Sequence, residues 1–206
     1  MHVSKLLAPL ACAAALAFAA PAHAQDAGDW TFSVGAGLVA PKSGNGSLAG
    51  GALAADVGDD WRPTVTAEYW FSRNWGLEIL AATPFEHDIR LNGALAGATK
   101  HLPPTVSLQY HFDGEKVRPF IGLGLNYTVF FDEDTRGPLN GAELELDASF
   151  GLAAHAGLDF AVGEDKWVRV DARWIDIHTD VSVNGADVGS VTIDPMVYGV
   201  SFVWAF

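Results

Sequence analysis

The sequence predicts an all-β fold, an eight-stranded antiparallel transmembrane β-barrel, on three observations. Apolar and polar residues alternate with period two through most of the chain after residue 29. Beyond the first 24 residues no stretch is long and apolar enough to form a spanning helix. The links between alternating segments switch regularly between long and short, as in outer-membrane barrels. Composition sets the frame. The chain has 206 residues, 50% hydrophobic and 18% charged, with 25 Asp+Glu against 12 Lys+Arg. That length is one domain with room for a leader. A net charge of −13 excludes nucleic acid as a partner, because nothing would neutralise its phosphates. The apolar half excludes an acidic disordered chain. An apolar yet strongly acidic chain is an unusual soluble domain.

Residues 1–24 read as a signal peptide and 25–206 as the barrel domain. Lys5 precedes an apolar run from Leu6 to Ala20, and Ala22-His23-Ala24 is a small-x-small cleavage site before Gln25. As a membrane anchor the run is short for a bilayer core of ~30 Å. Cleavage removes Cys12, so the exported chain has no disulfide and needs another source of stability. Past the leader the longest stretches free of Asp, Glu, Lys and Arg have 13 residues, Ser43–Ala55 and Pro119–Phe131. A spanning helix needs about 20 apolar residues. A closed barrel is the other way to satisfy a backbone in lipid.

The strands follow in order, at 30–41, 64–71, 75–85, 104–112, 117–131, 147–161, 167–178 and 192–206. The first sets Trp30, Phe32, Val34, Ala36 and Leu38 against Thr31, Ser33, Gly35 and Gly37. The fourth sets Val106, Leu108, Tyr110 and Phe112 against Ser107, Gln109 and His111, and the sixth sets Phe150, Leu152 and Leu158 against Ser149, His155 and Asp159. The last sets Tyr198, Val200, Phe202 and Trp204 against Val197, Gly199 and Ser201. Long connections at 42–63, 86–103, 132–146 and 179–191 alternate with short ones at 72–74, 113–116 and 162–166. A short helix is allowed in Pro138–Leu146, and Asn184-Gly185 signals a hairpin tip. Tyr69, Phe71, Trp75, Tyr110, Phe112, Phe160, Trp167, Trp204 and Phe206 lie beside the short turns or the C-terminus. Phe85, Tyr127, Phe131, Phe150 and Trp174 lie at the other strand ends. Two such belts are expected at the two membrane interfaces. The terminal Phe206 on a period-two strand fits a signal read by the outer-membrane assembly machinery. The expected location is the bacterial outer membrane, in contact with the lipid bilayer.

Ala82-Thr83-Pro84-Phe85-Glu86-His87-Asp88-Ile89, Lys100-His101-Leu102-Pro103-Pro104-Thr105, Gly122-Leu123-Gly124-Leu125-Asn126-Tyr127, Ser149 through Gly157, Arg173-Trp174-Ile175-Asp176-Ile177 and Ile193-Asp194-Pro195 run through most of the chain past the leader. In these stretches the sequence resembles the OmpW family of outer-membrane proteins. The resemblance implies an eight-stranded barrel that passes small hydrophobic molecules through a narrow apolar lumen. Residues 42–63 are Gly- and Ala-rich and carry no family motif.

Assigning the polar parity of each strand to the lumen places Glu68, Glu78, Gln109, His111, Arg118, His155, Asp159, Arg169, Asp171 and Arg173 toward the short turns. Four carboxylates face three guanidiniums, and unpaired charges there would be expensive. These residues are therefore expected to form an ion-pair network that plugs the periplasmic half of a barrel just wide enough for side chains to fill. The outer half would carry Val39, Leu80, Ala82, Phe120, Asn126, Thr128, Phe130 and Ile175, a largely apolar set suited to small hydrophobic solutes. With the axis plugged, exit would run sideways between strands, where Pro84, Pro103, Pro104 and Pro195 remove ladder N–H groups.

Competing motifs carry less. Glu86-His87-Asp88 reads as a solvated loop start, because alternate residues on a strand face opposite ways and no further metal ligand is visible. Ser149 and His155 share a face but lie about 20 Å apart at ~3.3 Å per residue, too far for a hydrolase pair. Asp132-Glu133-Asp134 is either a weak Ca²⁺ site or a solvated charge run. Gly122-Leu123-Gly124 lies mid-strand, where it relieves lumen crowding. No cofactor, metal site or catalytic set is expected. Three readings remain: passive uptake of small hydrophobic compounds, a non-conducting structural or receptor barrel presenting acidic loops, and a membrane lipid-modifying enzyme, which would need a convergent Ser/His/acid set near the outer interface that the sequence does not display.

Overall fold

The computed structural model describes residues 25–206; the expected signal peptide, residues 1–24, lies outside the described residues. The strands are β1 (Trp30–Ala40), β2 (Gly46–Leu48), β3 (Leu53–Val57), β4 (Asp60–Trp70), β5 (Trp75–Ala82), β6 (Phe85–Leu91), β7 (Ala94–Leu102), β8 (Thr105–His111) and β9 (Val117–Thr135). They continue with β10 (Leu144–Leu146), β11 (Ser149–Gly163), β12 (Lys166–Ile175), β13 (His178–Val183), β14 (Ala186–Thr192) and β15 (Met196–Ala205). Eight of them, β1, β4, β5, β8, β9, β11, β12 and β15, pair antiparallel in a closed ring. The ring closes between the first and last strands, from Thr31↔Ala205 to Ala40↔Met196. Closure leaves no open sheet edge, which a lipid environment requires.

These eight match the predicted strands, with ends displaced by up to four residues: β15 begins at Met196 rather than residue 192, β5 ends at Ala82 rather than residue 85, and β12 ends at Ile175 rather than residue 178. β4 begins at Asp60 rather than residue 64, and β9 runs to Thr135 rather than residue 131. The period-two pattern became a barrel because both faces of each strand have a task. Val34, Ile79, Ile121, Leu123, Leu125, Leu152 and Val200 point outward, with Leu123 73% exposed, while Ser33, Glu78, Gly122 and Asn126 point in. At the short-turn end the outward band is rimmed by Trp30, Tyr69, Phe71, Trp75, Phe112, Phe160 and Phe206, and at the other end by Trp61, Tyr127, Phe150 and Trp174. Two residues expected in these belts turn inward: Trp167 and Phe85 are each only 2% exposed. Trp167 shares its parity with Arg169. Phe85 opens a new strand after Pro84, where the parity of β5 ends.

The long connections are not irregular loops. β6 and β7 form a hairpin turned by Asn92-Gly93, and β13 and β14 form one turned by Asn184-Gly185. All four turn residues have positive φ, as a type I′ turn requires. The helix allowed at 138–146 is replaced by a 3₁₀ turn at Gly137–Leu139 and by strand β10. Asn45 joins two connections, donating to Thr192 O at 3.0 Å and accepting from Val57 N at 2.8 Å. Together these segments make a dome over one mouth of the barrel, with Leu48, Ala55, Leu91, Ala96, Leu144, Val181 and Val191 as its core.

Candidate functional site

The lumen divides by depth. Toward the short turns, register sets charges side by side. Glu68 lies directly across from Glu78, which would repel. Arg169 resolves the conflict by reaching both, at 3.6 Å to Glu68 and 3.0 Å to Glu78. Arg169 also holds Asp159 at 2.7 Å, and Asp159 takes Arg118 at 3.3 Å from its other neighbouring strand. Arg173 donates to Glu78 at 2.6 Å and to Ser107 at 3.1 Å. His155 Nδ1 accepts from Arg173 at 3.0 Å and Gln109 at 3.2 Å, so its Nε2–H donates to Asp171 at 3.0 Å. His111 Nε2–H donates to Glu68 at 2.8 Å. Glu68, Glu78, Gln109, His111, Arg118, His155, Asp159, Arg169, Asp171 and Arg173 thus lie together toward the short turns, and all but Asp171 are buried.

Arg118 closes the short-turn mouth. Its guanidinium lies 4.9 Å from the ring of Trp70 and 5.0 Å from that of Trp167, and it donates to the Gln25 side chain. Phe120 also belongs here. Its ring lies 4.3 Å from the Arg169 guanidinium, 5.1 Å from His111 and 4.9 Å from His155. The expectation that Phe120 lines the outer half is therefore corrected. It is only two residues beyond Arg118, so its depth is that of the charges.

Above the charges lies a polar step in which Asn126 donates to Thr105 Oγ1 at 3.0 Å and accepts from Thr128 at 2.7 Å. Val39, Phe130 and Ile175 come next, as expected, but they pack with Phe85, Ile177, Ile193 and Val197 into a filled layer. Leu80 borders two small voids, of about 20 and 30 Å³. The larger space is higher. A cavity of about 240 Å³ lies within the dome, walled by Leu48, Leu53, Ala55, Leu144, Val181 and Val191 among others. Sequence reading missed it because the short dome strands show no sustained period. A second Asn-Gly pair, at Asn92-Gly93, was the available signal for its hairpin.

One wall of this cavity is polar. His87, Thr99 and His101 come from the β6–β7 hairpin. The hairpin stands beyond the lipid band, since its outward residues Glu86, Asp88 and Arg90 are exposed and charged. His87 is thus not a solvated loop residue but a buried one, facing away from Glu86 and Asp88. The rings of His87 and His101 stack at 4.9 Å, flanked by Phe85 and Phe130. Burial pushes both below the ordinary histidine range, His101 to about 3. Among the described residues no group of three or more His, Cys, Asp or Glu could hold a metal. Asp132 and Asp134 are instead paired with Lys100 at 3.1 Å and Arg136 at 2.6 Å. Ser149 accepts from the His178 N–H, remote from His155.

A closed eight-stranded barrel with an apolar outer belt, two aromatic rims and a charged interior near the short turns defines a small bacterial outer-membrane barrel. The comparisons agree and go further. Residues 26–206 match the OmpW family, and the chain belongs to it. It is 35% identical to outer membrane protein W of Vibrio cholerae serotype O1, over 96% of this chain and 97% of the relative. The crystal structure of OprG from Pseudomonas aeruginosa superposes with a TM-score of 0.78 at 33% identity, covering 88% of this chain and 97% of that one. AlkL, solved by solid-state NMR in DMPC bilayers, gives a TM-score of 0.67 at 25% identity, covering 91% and 94%. A more distant relative, 26% identical over 95% of this chain and 94% of its own length, is the dibenzothiophene metabolism operon protein PahQ of Pseudomonas aeruginosa. The chain is an outer-membrane protein; in barrels of this class the short turns face the periplasm.

Proposed function

We propose that the barrel mediates passive uptake of small hydrophobic molecules, receiving them in the dome cavity and releasing them sideways into the bilayer. The observation that carries the reading is an apolar cavity of about 240 Å³ placed outward of a lumen filled by paired charges. Apolar solutes are driven into such a space by the water they leave. Further passage along the axis meets Arg169, Arg173 and their carboxylates, where an apolar solute would have to break buried ion pairs. This network acts as the plug. The sideways path is supported at β5 and β8, whose ladder ends at Leu80↔Thr105. Pro103 and Pro104 follow without N–H groups, and Ala82 and Pro103 border the same small void. The dibenzothiophene named in the PahQ relative is an apolar aromatic compound, in keeping with this class of solute. Phe206, at the end of the last strand, would present the chain to the outer-membrane assembly machinery.

The filled layer of Val39, Phe85, Phe130 and Ile175 favours a second reading, a non-conducting structural or receptor barrel with acidic surface loops. Uptake of a labelled hydrophobic solute into liposomes separates the two. Under the uptake reading, wild-type protein accelerates entry over protein-free liposomes, and Val181→Trp, which fills the cavity, removes most of the gain. Equal rates for protein-loaded and empty liposomes would favour the structural barrel.

A further inference from the structure

The dome cavity has a single polar wall, and that wall is unsatisfied. His87 Nδ1 lies 2.5 Å from the carbonyl oxygen of Gly58. A carbonyl only accepts, so Nδ1 carries the proton and Nε2 is left as a bare lone pair. His87 Nε2 is buried and has no hydrogen-bond partner among the described residues, and the same is true of His101 Nδ1. Both side chains line the cavity and are at least nine-tenths buried, at 2% and 3% exposure. Thr99, the cross-strand neighbour of His87, is the third polar residue of this wall, and its hydroxyl donates to Lys100 O at 3.4 Å.

A buried acceptor without a donor is costly, and native structures seldom leave one unanswered. Binding sites that are otherwise apolar use a few placed polar groups to orient a ligand. From the buried acceptor on His87 and the apolar walls opposite it, we infer that the cavity selects hydrophobic molecules carrying one hydroxyl, which donates to His87 Nε2 while the body packs against Leu53, Leu144 and Val181. The inference rests on the uptake reading and narrows its solute class from hydrocarbons at large to monohydroxylated ones such as phenols. Size permits this. An engineered cavity of about 150 Å³ accepts benzene, and this one is larger at about 240 Å³. Burial keeps His87 from holding a proton of its own on Nε2, which preserves the acceptor. The neighbouring charges, Asp59, Asp60 and Arg62, act on His87 less than burial does.

The test compares 4-ethylphenol with 4-ethylanisole, its methyl ether of similar shape but without the donor, on protein in lipid nanodiscs. Affinities are measured for wild type and His87→Phe, and the phenol-to-ether ratio of one is divided by that of the other, which cancels solvent and bilayer partitioning. The expected quotient is about tenfold in favour of the phenol on wild type, equivalent to about 1.4 kcal/mol. The ¹⁵N resonance of His87 Nε2 in the wild-type protein supplies a readout that needs no variant. It shifts on adding the phenol and stays in place with the ether. A quotient of one, or a His87 resonance that responds alike to both compounds, overturns the hydroxyl selection and leaves uptake standing, with water filling the site. Binding of neither compound to wild type overturns the uptake reading along with it.

Discussion

The two halves of the lumen are built from the same strands and solve opposite problems. Near the short turns, Glu68, Glu78 and Asp159 meet Arg118, Arg169 and Arg173, and Asp171 meets His155. In the dome, apolar side chains from short β segments leave a cavity with two unsatisfied histidine nitrogens on one wall. Ion pairing makes the inner half costly to alter, although Gln109 Oε1, His111 Nδ1 and Arg118 Nε find no hydrogen-bond partner among the described residues. Incomplete packing leaves an apolar space of about 240 Å³ in the outer half. Under the proposed uptake function, stability and solute binding are separated along the barrel axis.

The largest effect should come from breaking the inner half. Arg169→Met leaves three buried carboxylates short of a partner and should cost about 3–5 kcal/mol, read from urea unfolding in lipid vesicles. An unchanged midpoint would show that the network adds nothing to stability. Acidification should act on the outer half. His87 and His101 are held neutral by burial, so the unfolded dome binds protons more readily than the folded one. The dome therefore keeps its full stability above the ordinary histidine pKa of about 6.5. It loses stability as pH falls from there toward about 3, the value at which His101 itself protonates. Hydrogen exchange of residues 85–102 should accelerate over that range while the barrel strands stay protected.

Smaller changes sharpen the contrast. Gly93 has a φ of 80° at the hairpin tip. Gly93→Ala should cost about 1–2 kcal/mol, confined to the dome and visible as faster exchange in β6 and β7 without a shift in the barrel's unfolding midpoint. Lys100 and Asp132 form an exposed pair at 3.1 Å. Lys100→Gln should change stability by less than about 1 kcal/mol, and a larger loss would give the dome an electrostatic support that its geometry does not suggest.

The barrel was legible because lipid and lumen impose opposite demands on alternate residues, and a long strand writes that alternation openly. The same parity puts Glu68, Glu78, Arg169 and Arg173 on the lumen face, where the ion pairs form. Parity does not encode depth, however, and Phe120 went to the wrong layer on that account. Trp167 was assigned to an aromatic belt by its position beside a turn, although its parity with Arg169 already pointed inward. The dome was hidden for another reason. Leu48, Leu53 and Leu144 sit on segments of three to five residues, too short to show a period. Their cavity exists only through contacts among four separate connections. His87 was read as solvated because its neighbours are charged, but those neighbours face outward from the same hairpin.

The central claim is that the outer half admits apolar solutes while the inner half blocks the axis. The most direct measurement records ion current and hydrophobic-solute entry on the same protein-containing bilayers. Solute entry is expected above the protein-free rate, with no sustained high-conductance current. A large steady ion current through wild-type protein, or solute entry no faster than through lipid alone, would contradict it.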